Sequence, residues 1–251
     1  MKILGLDTAT STAGIAIVDG DRVLAEARHD ARGRGADLLV KIDEVCRAAG
    51  VSALGGIDAI AIGAGPGSFT GLRIGMATAK GIAFAAHRPL WAVSSLAALA
   101  DDAREELAND PGLAPAGGVI CAVLDARRGE VFAGCFRDGR ALAPERVMAP
   151  AELAPWLAEV AEHAGAAATA RPAPSVWFAG DALDAHRDAL AALSAHGPWL
   201  AARTPSGRAV ARLALAGAHV DITLGGAPTY IRPSEAEVKY PDGVPGALRR
   251  R

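Results

Sequence analysis

The chain has 251 residues, 51% hydrophobic and 4% aromatic, with 26 Lys+Arg against 28 Asp+Glu for a formal net charge of -2. These values exclude a disordered, collagen-like or coiled-coil chain, and the near-neutral balance gives no bulk attraction to nucleic acid. The length suits one large core or two modest ones, and the alanine-heavy apolar fraction favours closely packed α/β layers. Cys46, Cys121 and Cys135 show no CxxC spacing, so neither a disulfide framework nor a structural zinc site is expected, and a reducing cytoplasm is the natural compartment. Only a few apolar residues precede Asp7, and Lys80 interrupts the stretch from Ile74 to Ala86, so neither a signal peptide nor a membrane span is expected.

Ile3 to Leu6, Ala13 to Val18 and Arg22 to Ala27 read as a strand meander, with a polar loop from Asp7 to Thr12 and a turn at Asp19-Gly20. Leu38, Ile42, Val45 and Ala49 at helical spacing predict a helix over Ala36 to Ala49 that stops at Gly50, before an apolar strand from Ile57 to Ile62. A glycine-rich loop then opens a helix over Thr70 to Ala86. Strand Leu90 to Val93 follows, with a helix that Ser94 caps. The break from Asn109 to Gly118 marks a domain boundary. Beyond it the opening recurs: Cys-Ala-Val-Leu-Asp125 matches Ile-Leu-Gly-Leu-Asp7, and Asp138-Gly139 matches Asp19-Gly20. The second half is shorter, with a helix near Pro150 to Ala164, an Ala/Pro-rich loop to Pro174, strand Val176 to Ala179 and a helix from Asp181. Ser206 caps a long helix through about Val220 that returns to the first domain. The expected organisation is 1–110 plus about 205–225, a shortened subdomain over 117–204, and a tail over 226–251 ending in a solvated arginine run.

The loop after Asp7 suits either a metal-phosphate group or an Asx turn, and the turn is favoured. In the segment Gly63 to Gly75, glycines permit positive φ, Ser68 or Thr70 can cap, and unpaired amides at the helix start can cradle an anion. It has neither the GxxxxGK[ST] lysine nor GxGxxG spacing, so P-loop and Rossmann readings fall.

The runs Asp7-Thr8-Ala9-Thr10, Gly65-Pro66-Gly67-Ser68-Phe69-Thr70-Gly71-Leu72-Arg73, Asp125 to Phe132 and Tyr230-Ile231-Arg232-Pro233 together resemble the bacterial TsaB (YeaZ) family, nearly end to end. The resemblance implies a duplicated α/β fold of the actin-like, RNase H-like kind, shared with sugar kinases and Hsp70. It further implies a non-catalytic partner of the TsaD transferase and the TsaE ATPase in forming threonylcarbamoyl-adenosine beside the tRNA anticodon. On this reading tRNA is met through the complex, the chain pairs with itself in isolation, and it needs no cofactor beyond weak ADP or ATP binding. The cleft residues would be Asp7, Thr8, Gly65, Gly67, Ser68, Asp125 and Gly180. TsaD-like enzymes carry an HxxxH metal pair on the helix before the glycine-rich loop; here that helix begins Arg34-Gly35-Ala36-Asp37-Leu38-Leu39. His29 precedes it alone and is expected to be solvated. Arg127 and Arg128 replace the small hydroxyl-rich turn of an ATP-hydrolysing relative.

Gly71, Gly75, Ala79 and Ala83 draw a small-residue stripe along one helix face. Spacing alone fits packing on the chain's own sheet equally well. The family pairs through its first two helices, which implies a partner face of this stripe with Leu38, Leu39, Ile42, Leu72 and Met76, rimmed by Arg73 and Lys80. The alternatives are a small-molecule kinase or ATPase of the same fold, which the shortened second domain disfavours, and a metallopeptidase, for which no HExxH exists.

Overall fold

The computed structural model describes residues 1–30, 37–52, 55–110, 118–163 and 176–232. The first stretch runs β1 (Lys2–Asp7), β2 (Thr12–Asp19), β3 (Arg22–Asp30), α1 (Asp37–Ala48), β4 (Ala59–Gly63), α2 (Phe69–Ala86), β5 (Leu90–Val93) and α3 (Ser95–Ala108). The second runs β6 (Val119–Arg127), β7 (Glu130–Arg137), β8 (Arg140–Ala141), β9 (Arg146–Met148), α4 (Leu153–His163), β10 (Val176–Ala179), α5 (Ala182–Ala185) and α6 (Arg187–Leu190). α7 (Gly207–Leu215) and β11 (Val220–Asp221) follow.

Two sheets result. The first has the order β11-β5-β4-β1-β2-β3, with β1 and β2 antiparallel and β4 parallel to β1. The second has the order β10-β6-β7-β8, with β9 also on β7; β6 and β7 are antiparallel and β10 is parallel to β6. The same three-strand motif therefore opens both lobes, the arrangement of a duplicated actin-like α/β fold.

Strand alternation builds the layers. Leu4 and Leu6 face α1 and α2, whereas Ile3 on the other face meets Val210 and Ala211 of α7. In β6, Cys121 and Val123 point to α4, while Ile120 and Leu124 point to Leu96, Leu99 and Ala103 of α3. α3 thus lies between the lobes, and its apolar burial joins them. α7 needs glycine on both sides: a Cβ on Gly5 would lie 2.0 Å from the Gly207 carbonyl oxygen.

Ser68, Ser94 and Ser206 each accept a hydrogen bond from the backbone N–H three residues on, at Gly71, Ala97 and Ala209, and so cap α2, α3 and α7. One boundary differs from expectation. α7 ends at Leu215 rather than near Val220, because Gly217 takes φ +82 and Val220–Asp221 then pairs with β5. Residues 226–232, the start of the expected tail, lie against the first lobe and the cleft. The expected linker core at 111–117, the Ala/Pro-rich loop at 164–175 and the terminal arginine run lie outside the described residues.

Candidate functional site

Between the lobes is a cleft of about 800 Å³. The first lobe contributes the β1–β2 loop and the start of α2, the second contributes the β6–β7 turn and Asp181, and residues 229–232 line it as well.

Asp7 sits at the end of β1 but does not face this space. It is fully buried: one carboxylate oxygen accepts from Ala9 N at 2.8 Å, closing an Asx turn, and the other accepts from Ser95 Oγ at 2.7 Å. A Cβ on Gly63 would lie 1.8 Å from the second oxygen. Burial raises its pKa from 3.8 to about 6, against the lowering effect of those two hydrogen bonds.

Asp125, two residues before the end of β6, makes the turn that Asp7 makes after β1, accepting from Arg127 N at 2.8 Å. It also meets His186 Nε2 at 3.1 Å and the Arg127 guanidinium at 3.0 Å. Its own N–H donates to Asp181 at 2.9 Å, and burial raises the Asp181 pKa to about 6. Sequence reasoning gave His186 no role, and no spacing links it to a residue 61 positions away. The β6–β7 turn needs left-handed backbone at Arg127 (φ 63), Arg128 (φ 58) and Gly129 (φ 78), and it sets both guanidiniums on the cleft wall.

The glycine-rich loop spends its backbone groups internally. Ala64 N–H donates to Val93, Gly65 N–H to Ser95 Oγ, and Ser68 N–H to Ala9, while the Gly65 carbonyl accepts from Ser95 N. Of the amides at the start of α2, the Gly71 N–H is already taken by Ser68 Oγ at 3.3 Å. Gly67 is needed for closeness rather than for positive φ, since a Cβ there would lie 2.5 Å from the Ala9 carbonyl oxygen. Positive φ belongs to Gly65, at +106.

Of the expected cleft residues, Thr8, Gly67, Ser68 and Asp125 line the space. Asp7, Gly65 and Gly180 do not: all three are buried beneath it, and a Cβ on Gly180 would lie 1.8 Å from the Val123 carbonyl oxygen. His29, expected in solvent, is half-buried on the cleft wall with Nε2 enclosed and unpaired. Among the described residues no three His, Cys, Asp or Glu side chains converge in a metal-ligating group. The cleft can therefore attract an anion through its arginines, but it aims no carboxylate from β1 at a metal-phosphate group.

The expected partner face is corrected more sharply. Leu38, Ile42, Leu72, Gly75, Met76, Ala79 and Ala83 are all buried in the chain's own packing. A Cβ on half-buried Gly71 would lie 2.2 Å from the Thr8 carbonyl oxygen. The small-residue stripe seats α2 on its own sheet and the β1–β2 loop. Leu39 alone of those nine is exposed, at 56%; Val40 on α1, at 59%, and Phe84 near the end of α2, at 83%, are exposed as well. Among the described residues no helix is long and apolar enough to cross a membrane.

The two-lobed fold and its interlobe cleft define a protein of the actin-like class. Residues 31–229 match the family model described as TsaD, tRNA N6-adenosine threonylcarbamoyltransferase. The chain is 30% identical to the tRNA threonylcarbamoyladenosine biosynthesis protein TsaB of Bacillus subtilis, over 96% of this chain and 98% of that one. It is 37% identical to the TsaB of Haemophilus influenzae over 137 residues, and there it spans about half (52%) of that relative's length. A crystal structure from Pseudomonas aeruginosa, of an uncharacterized protein with similarity to peptidase YEAZ, superimposes with a TM-score of 0.69 at 27% identity, over 92% of this chain and 99% of that one. The chain belongs to the TsaB (YeaZ) family.

Proposed function

We propose that this chain is a non-catalytic partner subunit in tRNA threonylcarbamoyladenosine biosynthesis, supporting a TsaD-type transferase that forms the modified adenosine beside the anticodon. The observation that carries the reading is Asp7, whose two oxygens are committed to Ala9 and Ser95 and whose side chain is 0% exposed. A carboxylate that must hold a metal-bound phosphate has to face the cleft. The internally bonded glycine loop and the bulky Arg127-Arg128 turn support the same conclusion. ADP or ATP is held weakly in the cleft, at Thr8, Gly67, Ser68 and Asp125, without turnover. The partners are the transferase, a TsaE-type ATPase and, in isolation, a second copy, with tRNA engaged through the complex in the cytoplasm. Exposed Leu39, Val40 and Phe84 supply the apolar part of the partner face.

The test is reconstitution. The purified chain is combined with its transferase and ATPase counterparts, tRNA and threonylcarbamoyl-adenylate, and each component is omitted in turn. Omitting this chain should stop multiple turnover. Modification that proceeds undiminished without it, or ATP turnover or transfer by this chain alone, would overturn the proposal.

A further inference from the structure

The last described residues do not run free over the surface. Lys80 Nζ donates to the Gly226 carbonyl, and Thr229 N–H donates to the Ala64 carbonyl at 2.7 Å. The Tyr230 ring lies 5.1 Å from that of Phe69, tilted by 39°, and its hydroxyl accepts from Arg73 Nε at 3.2 Å. The Arg73 guanidinium covers Phe69 in turn, 3.8 Å from the ring centroid. Every one of these partners belongs to the first lobe. The next two residues reach the second. Ile231 packs on the apolar cluster that joins the lobes, with Ala9 and Leu72 from the first and Ala126 and Phe132 from the second, and Arg232 pairs with Glu130 at 2.8 Å.

We propose that residues 226–232 form a latch that ties the two lobes across the cleft and governs access to its floor. Thr229, Tyr230, Ile231 and Arg232 are themselves part of the cleft lining, so the segment stands where an entering group would pass. Its attachments suit a part that releases. Tyr230 is 38% exposed, the Arg232 and Glu130 side chains are 29% and 38% exposed, and no sheet ladder holds the segment. Contacts of that kind open at a fraction of the global unfolding cost. The pairing of β11 with β5 lies upstream, so the latch can leave without unzipping the first sheet.

The test reads access to the floor directly. Ala126→Cys places a thiol in the apolar cluster on which Ile231 packs, and Ser11→Cys places a second reporter on the cleft wall. Each is labelled with iodoacetamide in the full chain, alone and combined with Tyr230→Ala or Arg232→Ala. Cys46, buried in the first-lobe core, serves as the internal control. Losing the ring contact or the ion pair should speed labelling at the reporters by roughly tenfold while Cys46 labelling and the melting temperature hold. Tyr230→Phe, which keeps the ring, and the exchanged pair Glu130→Arg with Arg232→Glu should both return the rate toward that of the parent. Reporter rates that do not change, or that rise only in step with Cys46, would overturn the latch.

Discussion

Gly75→Ala and Gly81→Ala add the same methyl group to the same helix, and the structure gives them opposite signs. A Cβ on Gly75 would lie 2.1 Å from Thr8 Oγ1, 3.0 Å from its Cγ2 and 3.1 Å from its Cβ. Thr8 is buried, and its hydroxyl donates to the Gly71 carbonyl at 2.9 Å. Turning the side chain away orphans a buried hydroxyl at about 1–3 kcal/mol, and moving the helix instead costs about 1–3 kcal/mol of overpacking. The helix propensity of alanine returns about 1 kcal/mol against whichever of these costs is met, which leaves a net loss of about 1 kcal/mol at the middle of that range. At Gly81 nothing lies within 4 Å of the added carbon, so alanine should stabilise by about 0.5–1 kcal/mol. Urea unfolding of the two variants should move the midpoints in opposite directions, with a fall in melting temperature of roughly 2–4 °C for Gly75→Ala. In a Thr8→Ala background the closest contact is gone, so the Gly75→Ala penalty should shrink by about 1 kcal/mol or more in a double-mutant cycle. A Gly75→Ala chain as stable as its parent, or a penalty unchanged by Thr8→Ala, would refute the packing assignment of the stripe.

Ala79 is 0% exposed, so Ala79→Glu should cost at least about 3–5 kcal/mol and lower the melting temperature by roughly 10 °C or more, whereas Phe84→Glu, at an 83% exposed site, should change stability by under about 0.5 kcal/mol. Equal melting temperatures for the two would contradict the burial of that face. Burial raises Asp7 from 3.8 to about 6, so the folded chain keeps this proton over a window where the unfolded chain has released it. The stability it contributes is therefore complete below about pH 4 and lost as pH rises through about 6, an effect of about 3 kcal/mol. Asp181 acts in the same direction, so only the difference between the parent and Asp7→Asn isolates Asp7. Parent stability relative to Asp7→Asn, from urea unfolding at pH 4.5 and 7.5, should fall across that window, and parallel profiles would refute the assignment.

Local chemistry was legible in the sequence. The serine caps at Ser68, Ser94 and Ser206, the Asx turn of Asp7 and the matching meanders around Asp7 and Asp125 each depend on residues within a few positions of one another. The run from Gly65 to Arg73 is the most specific of the four that carry the family resemblance, and within it Gly65, Gly67 and Gly71 are each held by close approach, as Gly67 is against Ala9. What the sequence left open was direction. A stripe of glycine and alanine permits close approach by any neighbour, and only the folded chain shows that the neighbour is Thr8 and the chain's own sheet. An aspartate at a strand end reads the same whether it looks into a cleft or back into the fold, and Ser95, 88 positions away, decides which. Arg73 and Tyr230 are 157 positions apart, and Glu130 and Arg232 are 102 apart. No periodicity spans such distances, since they are closed by the packing of two lobes around α3, a consequence of apolar burial that no local segment encodes.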